Sequence, residues 1–278
     1  MEDMIAGEKL YIDEVMCLQM DGMSTPEIMR INFMAFNRLR DRHDKYEEYL
    51  DQANDILDRQ EELGIIAISC QGRDFPKRLL AIGRDCPAVI YCLGNTKLFD
   101  KEKAVAVIGA RSADRVGIDA AYRVAADYAG RGYVIVSGLA VGCDTAAHRA
   151  ALDVGGETIA VVATGLNLTH PRESEKLQAE ILSKGGLILS EQPIGVKTNP
   201  ERLVARNRLQ AALSEEVILA QCPEHSGSLH TMRFAGKYHK KRSAVRFPRW
   251  TTANMGNYNL LRPNGSLTLR VHPIDLSI

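Results

Sequence analysis

Residues 104–151 read AVAVIGARSADRVGIDAAYRVAADYAGRGYVIVSGLAVGCDTAAHRAA, and this stretch contains two strand-loop-helix units. The first apolar run, 104–108, stops at Gly109, and the second, 133–136, stops at Ser137-Gly138. Apolar residues at helical spacing follow each loop. Glycine between a buried strand and a helix lets backbone N–H groups face outward and form a concave site for an anion. Both loops are therefore predicted to hold phosphate.

The strand-helix alternation extends far beyond this stretch. Strands are predicted near 104–109, 133–137, 158–163, 186–190, 216–221 and 242–247, with helices between them. This spacing predicts an α/β fold with a doubly wound, mostly parallel, extended Rossmann-like sheet. Two further strands, 65–68 and 89–93, precede it, and the segment after Trp250 is predicted as a loop followed by a last strand at 267–271.

The chain is predicted to divide at about residue 62. Residues 1–62 form a helical N-terminal region, in which Ser24-Thr25-Pro26 has the pattern of a helix start and 44–63 that of a charged helix with one apolar stripe. Residues 63–278 form the sheet domain.

The composition indicates an ordinary soluble protein. With 278 residues and 45% hydrophobic residues the chain can bury a large core. No apolar run reaches the length of a membrane span, and the start MEDM lacks the layout of a secretion signal, so we expect a cytoplasmic protein with no membrane partner. Six cysteines occur without a CxxC pair, which favours buried thiols over disulfides or metal ligands.

The net charge of zero conceals an uneven distribution. Residues 1–100 carry 12 Lys or Arg against 19 Asp or Glu, whereas residues 201–249 carry 10 against 4. The second segment would give the protein one basic face, which suggests a polyanionic partner.

The loops that follow the strands are expected to meet at one edge, because ligands of such sheets bind outside the carboxyl ends of the strands. In the first loop Arg111 could reach an anion held by the backbone. In the second, Ser137 adds a hydroxyl, and Asp144 is predicted to cap the next helix. His148 follows one turn later, where it could hydrogen-bond to Asp144 and brace the loop.

Two later segments add to this predicted anion site. Arg206-Asn207-Arg208 lies in a helical stretch, and two helix positions are separated by about 200°, so one arginine should meet a ligand while the other serves the fold. Which of the two does so stays open. Ser226-Gly227-Ser228 opens another helix, where hydroxyls and free N–H groups favour an anion.

Several familiar motifs are missing from the sequence. It has no GK[ST] phosphate loop, no GxGxxG fingerprint, no GxSxG, no HExxH and no suggestive carboxylate pair. We therefore expect no catalytic residue, no cofactor, no metal and no enzymatic activity.

Six motifs in order resemble the DNA-processing protein DprA (Smf) family: IGAR, SGLAVGCDTAAH, TGLNLTHPRE, SEQPIG, ARNRLQAALS and HSGSLHT. The resemblance covers about residues 60–248. It implies a single-stranded DNA-binding and protecting protein that dimerises and helps to load the RecA recombinase in transformation or recombination. The helical N-terminal region would then be a degenerate form of a small helical domain.

The resemblance also implies a set of phosphate-binding or DNA-binding positions. These are Gly109, Arg111, Ser112, Ser137, Gly138, Leu139, Gly142, Asp144, Gly165, Arg206, Asn207, Arg208, Ser226, Gly227, Ser228 and Thr231. The chain departs from the family at Val141, where an arginine is usual, and at Leu203-Val204, where Phe-Pro is usual, so an aromatic platform for a base is absent.

Two other functions stay open. The same pocket could bind a small nucleotide in a sensor module whose helical region relays the state to a partner. A nucleotide hydrolase of the lysine-decarboxylase-like LOG group is disfavoured, because 226–231 lacks the acid of the PGGxGTxxE motif.

Overall fold

A computed structural model describes residues 9–262 and 271–276. Nine strands form one sheet in the order β1-β2-β6-β5-β4-β3-β7-β8-β9. The strands are β1 Ile66–Ser69, β2 Val89–Gly94, β3 Ala104–Ile108, β4 Val134–Ser137, β5 Thr158–Val161, β6 Leu187–Ser190, β7 Glu216–Leu219, β8 Lys241–Arg246 and β9 His272–Asp275. Of these, β2 alone runs against the others, because it pairs antiparallel with both β1 and β6.

The strand order confirms the predicted doubly wound fold. From β3 the chain adds β4, β5 and β6 on one side, and then returns to place β7 and β8 on the other. The direction of winding therefore reverses between β3 and β7. At such a reversal the loops leave the sheet on opposite faces and open a crevice at the carboxyl ends of the strands.

Eleven α-helices lie in the described ranges: α1 Ile12–Met20, α2 Thr25–Ile28, α3 Phe33–Arg40, α4 Tyr46–Glu61, α5 Lys77–Leu80, α6 Arg115–Gly130, α7 Cys143–Asp153, α8 Glu175–Ser183, α9 Pro200–Leu213, α10 Ser228–Lys237 and α11 Met255–Leu261. None of them combines the length and the apolar character that crossing a bilayer requires.

Alternate residues of the central strand enter two hydrophobic clusters. Val105 and Val107 pack with the alanines of α6 and α7, whereas Ala104, Ala106 and Ile108 belong to a cluster that includes residues of α9 and α10. Successive side chains of a strand point to opposite faces, so helices cover both faces of the sheet. This explains why the central strands are apolar throughout.

The N-terminal helices pack against the antiparallel end of the sheet. Val15, Phe36 and Tyr46 are buried in the same cluster as residues of β1 and β2. As predicted, Ser24 caps a helix that begins at Thr25, and its capping box with Glu27 is present. The division of the chain at residue 62 stays a prediction.

The segment after Trp250 differs from its prediction as a loop. Within it Met255–Leu261 form α11, although the segment is rich in asparagine and glycine. The buried Asn257 accounts for this, since it accepts from Cys222 N–H at 2.9 Å and donates to the carbonyls of Ala220 and Val245 at 3.0 and 3.1 Å. Most of the strand predicted at 267–271 lies outside the described residues, and β9 pairs in parallel with β8 at the sheet edge.

Candidate functional site

A cleft of about 520 Å³ lies at the carboxyl ends of β3 and β7, where the winding reverses. Ten of the sixteen predicted positions line it: Gly109, Arg111, Ser112, Asp144, Arg206, Asn207, Ser226, Gly227, Ser228 and Thr231. Gly138 borders a small adjoining cavity together with Arg111 and Arg206. Four distant segments of the chain are thus brought to one place.

The loop after β3 approaches α7 closely. A Cβ atom at Gly109 would lie 2.4 Å from the Cys143 sulfur, so this position requires glycine. The N–H of Ala110 donates to the Gln221 carbonyl at 2.8 Å and is not available to a ligand. Arg111 is exposed and has no hydrogen-bond or ion-pair partner among the described residues. The loop therefore contributes the Arg111 side chain to the site, and not the free backbone N–H groups that its glycine had suggested.

The loop after β4 is held by its own chain. The Ser137 hydroxyl is fully buried and donates to the Val107 carbonyl at 2.7 Å, so it joins two strands and does not reach the cleft, contrary to its predicted role as a phosphate donor. The buried Leu139 has φ +59°, and Gly142 has φ +84°. A Cβ atom on Gly142 would also lie 2.4 Å from the Ala110 carbonyl oxygen, so the two loops meet there.

Asp144 does not cap α7, since Gly142 is the N-cap residue and the helix begins at Cys143. Its carboxyl group is buried at the cleft, where burial raises its pKa and the nearby Arg206 opposes that rise. An aspartate in this position puts an acidic group in the floor of an anion site, and Arg206 is the nearby cation that favours its ionised form.

His148 does not brace Asp144 as predicted. Its Nδ1 lies 2.7 Å from the Thr158 hydroxyl, which donates to the Ile135 carbonyl. The hydroxyl proton is thus used, so Nδ1 carries the imidazole proton and Nε2 is a buried acceptor without a partner among the described residues. Burial lowers the pKa of His148 to about 3, and the charge of Arg206 adds to this effect. His148 is therefore neutral beneath the site.

The two arginines of α9 have different surroundings. Arg206 is 6% exposed, lines the cleft and donates from Nη1 to the Val161 carbonyl at 2.8 Å. Arg208 donates from both terminal nitrogens to the Glu191 carboxylate at 2.7 and 2.5 Å, and from Nε to the Asp85 carbonyl. Arg208 does not line the cleft, so Arg206 is the one of the two arginines that faces it.

The last loop leads into α10. The hydroxyl oxygens of Ser226 and Ser228 lie 2.7 Å apart, and Gly227 is the N-cap residue. The Asn207 amide ties α9 to this loop by donating to the Gly227 carbonyl at 3.3 Å. Thr231 is buried one turn into the helix. The loop thus places hydroxyl groups at the positive end of a helix dipole.

Gly165 serves the packing of loops and not the cleft. Its N–H donates to the Val196 carbonyl at 2.9 Å. A Cβ atom there would lie 2.3 Å from the Pro193 carbonyl oxygen. The glycine is required because the loop after β6 crosses it.

Leu203 and Val204 form part of the cleft wall, where the sequence departs from the resembled family. Val141, the other departure, is 37% exposed and lies outside the lining. The wall beside the arginines is therefore aliphatic.

The basic segment 201–249 does not form one face at the cleft. Arg208, Lys237 and Lys241 each pair with a carboxylate, and Lys240 donates to the Ala212 carbonyl. Lys241 begins β8 and so lies at the amino edge of the sheet, opposite the cleft. The excess of basic residues in this segment therefore predicted more positive charge at the cleft than the structure places there.

Two buried glutamines were missed in the sequence. Gln221 accepts from Asp114 N–H at 3.1 Å and donates to the Asp114 carboxylate at 2.9 Å, which braces the start of α6. Gln210 lies one turn after Arg206 on the same face of α9 and is 1% exposed. The spacing of four residues from a site arginine was the available signal.

Comparisons with known proteins agree on one family. The model of the family described as DNA recombination-mediator protein A matches residues 67–274. The chain is 34% identical to the DNA processing protein DprA of Bacillus subtilis over 185 residues, 66% of this chain and 62% of that protein. It spans about half the length of most of the curated relatives it matches.

Two solved structures are similar over most of their length. The X-ray structure of DNA processing protein A from Streptococcus pneumoniae has a TM-score of 0.78 and 27% identity, covering 96% of this chain and 95% of that one. The DNA processing protein A of Helicobacter pylori, described for its single-stranded DNA binding mode, has a TM-score of 0.64 and 32% identity, covering 74% of this chain and 90% of that one.

Proposed function

Because the chain belongs to the DNA recombination-mediator protein A family, we propose that it binds single-stranded DNA in the cleft at the carboxyl ends of β3 and β7. The observation that carries the proposal is the convergence of Arg111, Arg206 and the hydroxyl loop 226–228 on one cleft. Guanidinium groups, hydroxyls and a helix N-terminus are donors suited to phosphate oxygens.

The donors of the cleft differ in depth. Arg111 is exposed, so it meets an incoming phosphate first, whereas Arg206 lies in the floor beside Asp144. Leu203 and Val204 offer an aliphatic surface to a sugar or base. Since the arginines and hydroxyls that converge on the cleft are donors suited to phosphate oxygens, which are the same in every sequence, we expect binding with little sequence preference.

We propose binding without a chemical step. Asp144 is the one carboxylate among the described residues that line the cleft, and Arg206 accompanies it. No group of three or more His, Cys, Asp or Glu within residues 9–262 and 271–276 is arranged to hold a metal ion. Neither a general base nor a metal-bound nucleophile is therefore part of the proposal.

Titration of a labelled single-stranded oligonucleotide at several salt concentrations tests this function, with the duplex of the same sequence as comparison. The logarithm of the affinity should fall with the logarithm of salt with a slope of about −0.7 per phosphate neutralised. Arg111→Ala should weaken binding about tenfold on every sequence and make the slope shallower by about 0.7, as expected for one lost phosphate contact.

The matched control is Arg131→Ala, which removes an exposed arginine at the C-terminal end of α6, away from the cleft. It should bind like the unchanged protein. Equal binding of single strand and duplex, or equal loss in both variants, would contradict the assignment of the cleft.

A second candidate is a small nucleotide as the ligand, which the cleft volume of about 520 Å³ favours, since pockets for small molecules are of this size. Competition distinguishes the two. A free mononucleotide that displaces the oligonucleotide at equal or lower concentration would favour the nucleotide sensor.

The proposed protein partners are supported by family membership and not by the geometry of the cleft. We propose RecA as a protein partner and a homodimer as the assembled form, in a cytoplasmic location. A pull-down with purified RecA tests the first, and light scattering across protein concentrations tests the second. Binding of RecA that requires the oligonucleotide would indicate a complex formed on DNA.

A further inference from the structure

Gln210 contacts two components of the candidate site from below. With its amide turned so that the oxygen faces both donors, that oxygen accepts from Gly138 N–H at 3.0 Å and from Arg206 Nη1 at 2.5 Å. Gln210 is almost fully buried between α9 and the sheet. A largely buried side chain at the lining of the cleft thus joins the loop after β4 to the arginine of α9.

These contacts use both protons of one guanidinium nitrogen. Arg206 Nη1 donates to the Gln210 oxygen and to the Val161 carbonyl at 2.8 Å. A Cβ atom at Gly138 would lie 1.7 Å from Nη1, so the group rests directly against this glycine and a side chain there would displace it. Within the part of the chain that the structure describes, Arg206 Nε is enclosed without a hydrogen-bond partner, which leaves the Nη2 side of the guanidinium for a ligand.

We propose that Gln210 is a positioning residue that fixes the orientation of the Arg206 guanidinium toward the cleft. A guanidinium held by two acceptors loses less conformational freedom when it meets a phosphate than one that rotates in the site. Without Gln210, Arg206 would keep Val161 as its acceptor but could turn about that contact. The consequence for DNA affinity rests on the proposed function, whereas the orientation of Arg206 does not.

The first test needs no ligand. Side-chain nitrogen NMR of the uniformly labelled full chain, with the Arg206 signals assigned from an Arg206→Ala spectrum, reports how freely the guanidinium rotates. The unchanged protein should show separate, slowly exchanging Nη signals for Arg206, and Gln210→Leu should average them. Unchanged Arg206 signals in Gln210→Leu would overturn the proposal.

Two control variants distinguish a specific effect on Arg206 from a general loss of stability. Gln60→Leu removes another glutamine that is 1% exposed and accepts from a backbone N–H, that of Ile194, at 3.3 Å, but it is remote from the cleft. It should leave the Arg206 signals separate. Gln210→Glu keeps an acceptor oxygen at the same place and should also keep them separate, so averaging in this variant would count against the proposal even if Gln210→Leu failed to fold.

The second test is a double-mutant cycle on single-stranded DNA. Gln210→Leu should weaken binding about tenfold when Arg206 is present, since hydrogen bonds to charged groups are worth at least this much, and should have no further effect in the Arg206→Ala background. An equal factor in both backgrounds would mean that Gln210 acts through the fold alone. If the unchanged protein binds no oligonucleotide, the proposed function fails, and the NMR result still decides the role of Gln210.

Discussion

The carboxyl edge and the amino edge of the sheet both carry charged side chains, but in different surroundings. At the carboxyl edge Asp144, Arg206 and Arg208 are largely buried and held by protein partners. At the amino edge Lys101 and Lys241 are about half exposed and form ion pairs with Glu157 and Glu216. Desolvation makes the geometry around a buried charge energetically important, whereas a surface pair contributes little. The two edges therefore differ in the exposure of their cations: Arg206 and Arg208 are largely buried, whereas Lys101 and Lys241 are not, although Glu216 itself is buried.

The largest effect is expected from breaking the buried pair of Arg208. Arg208→Ala should lower the free energy of unfolding by about 3 kcal/mol, because it leaves the largely buried Glu191 carboxylate without its partner. Affinity per folded molecule should stay within about twofold, since Arg208 does not line the cleft. Urea unfolding and oligonucleotide titration measure the two quantities. If the free energy of unfolding fell by less than about 1 kcal/mol, the Arg208 pair would contribute no more than an exposed ion pair of the amino edge.

The buried neutral imidazole of His148 should make the protein sensitive to acid. Its pKa of about 3 in the folded state lies below the ordinary value of 6.5, so its contribution to stability is complete above 6.5 and declines as the pH falls toward 3. The unfolded chain takes up a proton that the folded chain excludes. At about 1.4 kcal/mol per pH unit, the loss should be about 3 kcal/mol at pH 4.5.

Urea unfolding between pH 7 and 4.5 measures this slope. His148→Asn keeps a donor for Thr158 and should flatten the pH dependence. His43→Asn replaces a histidine whose side chain is 42% exposed and should leave it in place. Equal slopes in all three proteins would assign the acid sensitivity to other groups.

Gly138→Ala should affect binding more than stability. Its methyl group would displace the Arg206 guanidinium, and overpacking in a tight site costs about 1–3 kcal/mol. Single-stranded DNA affinity should fall by about tenfold or more. Gly130→Ala, at the C-terminal end of α6, is the control, because a Cβ atom there meets nothing within 4 Å. Normal binding by Gly138→Ala would show that Arg206 need not occupy its observed position.

The smallest effect is expected at the amino edge. Lys241→Ala should change the free energy of unfolding by no more than about 1 kcal/mol, since the lysine is exposed and Glu216 keeps its hydrogen bonds from Tyr128 and Ser243. Oligonucleotide affinity should be unchanged. A clear loss of affinity would show that DNA also contacts the edge opposite the cleft.

Much of the fold and part of the site were predictable from local patterns. Apolar runs such as 104–108 predicted the strands, and their alternation with helices predicted the parallel sheet and the edge where its loops meet. The same patterns predicted wrong or incomplete roles for Ser137, Asp144 and His148, because each depends on a partner distant in the chain. Ser137 donates to Val107 and His148 contacts Thr158, which helical or strand spacing does not reveal.

The asparagine-rich segment and the basic segment illustrate the same limit. Helix α11 forms because Asn257 satisfies the backbone at the ends of β7 and β8, which outweighs weak local propensity. The cations of 201–249 are distributed between two edges, since alternate strands and helices carry the chain from one edge of the sheet to the other.

The sequence by itself determined the alternating strands and helices, the glycine loops, and the rule that Arg206 and Arg208 face different sides of one helix. These properties follow from the periods of helix and strand and from the conformations open to glycine. Tertiary structure decided which of the two arginines faces the cleft, which N–H groups remain free, and that Gln210 contacts Arg206 and Gly138 at once. Those outcomes depend on burial and on acceptors such as Val161 and Glu191, and only the packed chain brings them within hydrogen-bonding distance.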